Sequence, residues 1–219
     1  MADFKDRLKE KEKKRDLTEA EKRRLELFND NCMDLERQGY KATELTVSIV
    51  KANIFAAVLA VPVFGIGFAL FWLRFGFAGM GGMTFRELLI WVIGLFVMVV
   101  LHEFIHGFTW GLYAEHYFKD IEFGFMRSYL TPYCTCTMPL KKNVYIMGSL
   151  MPLIVLGILP TVASLFNGSY IMLLSGLIMT DAAAGDIMIV WEILKHRSDS
   201  DDVLYLDHST MAGGMMFER

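Results

Sequence analysis

Charge is what this sequence lacks over most of its length. Only 14 of its 47 charged side chains lie in residues 52–194, whereas residues 1–51 carry 25 of them. A chain that is 54% hydrophobic, with its charge confined in this way, is not an ordinary soluble enzyme. Basic excess is missing too: the net charge is −3, which excludes binding to nucleic acid driven by counterion release. The three cysteines are too few, and odd in number, for a disulfide-stapled secreted domain. No long apolar run occurs in the first 40 residues, so no signal peptide is expected. No internal repeat and no low-complexity linker are visible. What remains is a small multi-span membrane protein with a charged N-terminal arm.

The expected fold is an all-α membrane protein of about four transmembrane helices. Residues 1–45 form the charged cytoplasmic arm. From Ala2 to Gln38 the arm favours helix, with Leu8, Leu17, Leu25, Leu27, Phe28 and Leu35 as sparse apolar positions, which suits a solvated or membrane-surface helix. Gly39-Tyr40-Lys41 reads as its stop. Residues 46–195 form the membrane core and residues 196–219 a cytoplasmic tail. The first apolar segment, Ala52 to Leu73, has no charge and is long enough for a hydrocarbon core of ~30 Å. The second, Leu88 to Leu101, is too short to span and must continue through His106 to about Tyr113. The third runs from Val144 to Phe166, with Pro152 and Pro160 inside it, and the fourth from Tyr170 to Leu194, interrupted by Asp181 and Asp186. With four spans, one side of the bilayer carries 20 Lys and Arg and the other carries 2. The positive-inside rule then puts both termini of a multi-pass cell-membrane protein in the cytoplasm, with the cysteines on or near the reducing side.

One motif carries chemistry. His102-Glu103-Phe104-Ile105-His106 is an HExxH sequence. Residues four apart share a helix face, so both imidazoles can reach one metal ion. Glu103 lies about 100° round the helix from His102, where it can take a proton from a water at that ion. Two nitrogens and a carboxylate with an open fourth position suit catalytic zinc. Ionisable groups inside a span are costly and mark function.

The third ligand must come from elsewhere. Glu115 is about 13 Å further along a continuous helix and Leu112 stands where a metzincin would need histidine, which leaves Glu122 in the following loop or an aspartate on the last span. The second and last spans run in the same direction. Counted from their starts, His102 lies at ~21 Å, His106 at ~27 Å, Asp181 at ~16 Å and Asp186 at ~24 Å. Asp186 is level with the gap between the histidines and is the expected ligand; Asp181 is a neighbouring polar group or a helix-helix contact.

Between the second and third spans, Ile121 to Met126 and Tyr129 to Met138 read as a small β-hairpin around Arg127-Ser128. A peptide bond in a helix is shielded, and an edge strand near the metal could hold an unwound substrate by strand addition. Cys134-Thr135-Cys136 does not match structural zinc spacings and reads as ordinary reduced thiols. The segment from Ser198 to Arg219 either docks on the hairpin or is solvated.

These residues resemble the site-two protease class of intramembrane zinc metallopeptidases. The closer resemblance is to a family of small bacterial membrane proteins grouped as zincin peptidases. HExxH in a span, the hairpin, Met147-Gly148-Ser149-Leu150-Met151-Pro152 and Gly185-Asp186 fit in order, and Gly39-Tyr40 and Asp207-His208 look like the smaller family. In site-two proteases a later aspartate is the third zinc ligand, which the resemblance places at Asp186. Their usual Asp-Gly is reversed here, and the Asn and Pro that precede it are replaced by Met179, Thr180 and Ala182–Ala184.

The expected function is therefore a zinc-dependent intramembrane metallopeptidase acting near the cytoplasmic face. Zn2+ is held by His102, His106 and Asp186, Glu103 is the general base, and Ser149 is a candidate oxyanion donor. Substrates would be membrane-anchored proteins or peptides; no nucleic acid is implied. The alternative is a metal-binding membrane protein without hydrolysis, a metal transporter or sensor, although the repeats common in transporters are not visible. A silent membrane scaffold is the third reading.

Overall fold

The computed structural model describes residues 18–126, 131–198, 200–209 and 211–219. The first part of the arm, with Leu8 and Leu17, and the Arg127-Ser128 turn lie outside the described residues. Helix α1, Glu19–Arg37, opens with a capping box in which Thr18 Oγ1 accepts from Glu21 N and the Glu21 carboxylate accepts from Thr18 N. The chain leaves it through Gly39 at φ +93° and enters a strand, β1, Lys41–Thr46.

Two helices of 27 residues follow: α2, Ile49–Phe75, and α3, Phe85–Gly111. A second capping box, Thr84 with Glu87, sets the start of α3. As the shortness of Leu88 to Leu101 requires, α3 runs on past His106, and at ~1.5 Å per residue it is about 40 Å long. The hairpin follows as β2, Ile121–Met126, and β3, Thr131–Cys136, paired antiparallel with Phe123 opposite Cys134.

After the short strand β4, Leu140–Lys141, comes a third long run made of α4, Lys142–Pro152, a π-helical stretch, Leu153–Ile158, and α5, Leu159–Asn167. Pro152 and Pro160 bracket the π stretch, and a proline that cannot donate its backbone N–H is a recognised cause of such a local change of winding. The last apolar segment is not the single straight helix the sequence suggests. It is two helices, α6, Tyr170–Ala182, and α7, Ala184–Lys195, bent by 44° at Ala183. Three helices are long and apolar enough to cross a membrane, or four if the bent pair is one span.

The expectation of an all-α protein with one hairpin needs correction at the ends of the chain. The tail forms β5, Val203–Asp207, and β6, Gly213–Glu218. They join β1 and β4 in a four-stranded antiparallel sheet of order β1-β6-β5-β4. Segments before the first span and after the last thus meet in one sheet. Its two faces follow the period of two along a strand. Val203, Tyr205 and Met216 face a core with Trp110, Tyr145 and Ile193 from the helices. Leu206, Met215 and Phe217 face Phe28 and Leu35 of α1. Helix α1 is therefore docked on the sheet by two buried residues, and is not simply solvated.

Candidate metal centre

His102 and His106 lie four residues apart on α3, both buried, with ring centroids 4.8 Å apart and edge to face. His106 Nδ1 is 2.9 Å from the carbonyl oxygen of Gly148. A carbonyl only accepts, so Nδ1 carries a proton, which leaves Nε2 as the nitrogen that can bind a metal. The ring also stacks on Trp110, and Trp110 stacks on Tyr145 while its Nε1 donates to the Tyr145 carbonyl at 3.2 Å. This approach requires glycine at 148, because a Cβ there would collide with the Trp110 indole.

Asp186 enters from the first turn of α7, just beyond the bend. The exposed N–H groups of a helix start favour a carboxylate at that point. Asp186 Oδ2 lies 3.1 Å from His102 Nε2, and Oδ1 lies 3.5 Å from His106 Nε2. One ligand atom from each of the three residues falls within 4.8 Å of the others. His102 Nδ1 is buried with no hydrogen-bond partner among the described residues. Two imidazoles and a carboxylate converging in this way, with a ring nitrogen unmatched, form a donor set that fits zinc.

Glu103 is half-buried beside this group, and its carboxylate meets the backbone N–H of Cys134 on β3. Both open onto a cavity of about 340 Å3 whose wall includes Ser149 from α4, Arg24 from α1 and Asp207 from the tail. The Ser149 hydroxyl itself donates to the Tyr145 carbonyl at 2.9 Å.

The other sequence candidates lie elsewhere. Asp181 is not in the metal-holding group, and its Oδ1 is buried with no hydrogen-bond partner among the described residues. Glu122 pairs with Arg23 and, at 3.6 Å, with Arg24, which ties the hairpin to α1. Cys134 and Cys136 are free thiols. Burial raises both above the ordinary thiol range, Cys136 to about 12, so neither is a ready nucleophile.

Sequence reasoning singled out Asp207-His208 and left the tail either docked on the hairpin or solvated, without a role for Asp207; the structure docks it there. The Asp207 carboxylate accepts from Tyr145 Oη at 2.7 Å, Cys136 N at 3.0 Å and Thr135 Oγ1 at 3.1 Å. Burial pushes this carboxyl above its usual range, while those donors pull it back. The available signal was its place in Val203-Leu204-Tyr205-Leu206-Asp207, on the same side of a strand as Val203 and Tyr205.

With these side chains placed, the comparison with known families becomes informative. Residues 95–200 match the family model described as "Putative zincin peptidase". The match covers just under half of the chain, takes in His102, Glu103, His106 and Asp186, and supports a zincin-like peptidase family, hence a zinc metallopeptidase. Helices α1 and α2 and strands β1, β5 and β6 lie outside it. No curated protein and no solved structure matches the chain.

Proposed function

We propose that the protein is a zinc-dependent intramembrane metallopeptidase that hydrolyses peptide bonds of membrane-associated substrates near the cytoplasmic face. The observation that carries this reading is the convergence of His102, His106 and Asp186 beside Glu103 within helices α3 and α7. His102, His106 and Asp186 would hold the zinc ion, which when bound supplies Lewis-acid polarisation of the scissile carbonyl and of the attacking water.

The chain's own residues do the rest. Glu103 accepts one proton from the water as its oxygen bonds to the carbonyl carbon. It then passes that proton to the departing nitrogen as the C–N bond breaks. The Gly148 carbonyl holds the His106 ring in one orientation, as an outer hydrogen bond commonly does for a ligating histidine. On its side away from β2, strand β3 gives its Cys136 N–H to Asp207 and carries proline at 132, so an unwound substrate segment would be received by the cavity beside Glu103 rather than by strand addition. The excess of Lys and Arg on one side, 20 against 2, supports cytoplasmic termini in a cell-membrane protein.

The test uses the detergent-purified full chain, zinc analysis and a fluorescein-labelled unfolded casein as probe. Wild type cleaves the probe and loses activity on chelation. Glu103→Gln retains about one zinc per chain but loses roughly 100- to 10,000-fold in rate, the range for removal of a general base. Undiminished cleavage by that variant would remove Glu103 from the mechanism. A wild type that leaves the probe intact but carries zinc into liposomes would replace hydrolysis by transport.

A further inference from the structure

Asp207 is a half-buried carboxylate from the tail that no step of the proposed reaction uses. It stands at the end of β5, on the face turned toward the helices. There it gathers three donors from two other elements: Tyr145 Oη from α4, and Thr135 Oγ1 and Cys136 N from β3. An ionised carboxylate is acceptor-only, which matches three donors around two oxygens; an amide would turn its NH2 toward at least one of them.

Both elements that Asp207 holds lead to the candidate centre. Cys136 lies two residues from Cys134, whose N–H meets Glu103. Residues two apart in a strand direct their backbone groups to the same edge, so Asp207 and Glu103 occupy one edge of β3 at successive positions. Tyr145 stacks on Trp110, which stacks on His106. One carboxylate therefore ties the depth of β3 to the side of α4 that packs behind a histidine.

We propose that Asp207 is a positioning residue: it locks β3 in register with Glu103, so that the C-terminal tail completes the candidate site. The consequence for activity rests on the peptidase reading; the consequence for β3 does not.

The experiment uses the full-length protein in detergent, with Asp207→Asn and the milder Thr135→Val, which removes one donor and leaves the carboxylate in place. Three quantities are read: bound zinc, iodoacetamide labelling of each cysteine by peptide mapping, and kcat/KM on labelled casein. Asp207→Asn should keep its zinc. Cys134 and Cys136 should be labelled about tenfold faster, and kcat/KM should fall about tenfold, the equivalent of one hydrogen bond to a charged group. Cys32, on α1, should label at its wild-type rate. Thr135→Val should shift the same two cysteines in the same direction, and it decides the matter if Asp207→Asn does not fold. Unchanged labelling of Cys134 and Cys136, or equal acceleration of all three cysteines, overturns the positioning role. Selective acceleration in a protein whose wild type cleaves nothing would instead overturn the peptidase reading and leave the positioning role standing.

Discussion

At the scale of single residues, the candidate centre depends on which aspartate faces the histidines. Asp186 and Asp181 are five positions apart, and the bend at Ala183 falls between them. Only Asp186 has oxygens near both rings, at 3.1 and 3.5 Å. Asp186→Ala is therefore expected to lower zinc affinity by more than about 100-fold, beyond the range for outer hydrogen-bond partners, while Asp181→Ala retains its metal. Metal analysis of the two purified variants checks this, and equal zinc in both would remove Asp186 from the ligand set. The two histidines were legible because their spacing is a helical repeat. Asp186 was legible because depth along an apolar helix can be counted. The count assumed a straight helix, and nothing in Ala182-Ala183-Ala184-Gly185 announced a bend at that particular residue. The contacts of Asp207 were not legible, because its partners Thr135 and Tyr145 are more than 60 residues away.

At the scale of elements, the long helices were readable from composition, since a run of 20 or so uncharged residues has few other fates. The hairpin was readable from its alternation. The four-stranded sheet was not. Strand β1, Lys-Ala-Thr-Glu-Leu-Thr, buries none of its side chains fully, and β6, Gly-Gly-Met-Met-Phe-Glu, lacks β-branched residues. Each becomes a strand by pairing with the other, Lys41 opposite Glu218 and Thr46 opposite Gly213, a contact that no local pattern encodes. The burial of Cys136 at the end of β3 has a chemical readout. With the Cys136 thiol pushed up to about 12, its thiolate is scarcer at any given pH, so labelling is slow and speeds up as pH rises. Iodoacetamide at pH 8 should modify Cys136 about 1000-fold more slowly in the folded protein than in the denatured chain. Comparable rates would show that β3 is not held as described.

At the scale of the whole molecule, strands from before the first span and after the last share one sheet, with α1 packed over its far face. Both ends of the described chain therefore sit at the same end of the helices. Together with the Lys and Arg imbalance, this predicts that a protease added outside intact cells spares tags placed at either terminus, whereas in inside-out vesicles it removes both. Removal of a single tag would require an odd number of crossings. The sheet also sets an order of events during synthesis. The histidine pair leaves the ribosome roughly one hundred residues ahead of Asp207, while β1 waits still longer for β6. A half-made chain thus carries its histidines before the strand that holds β3 beside them has been made.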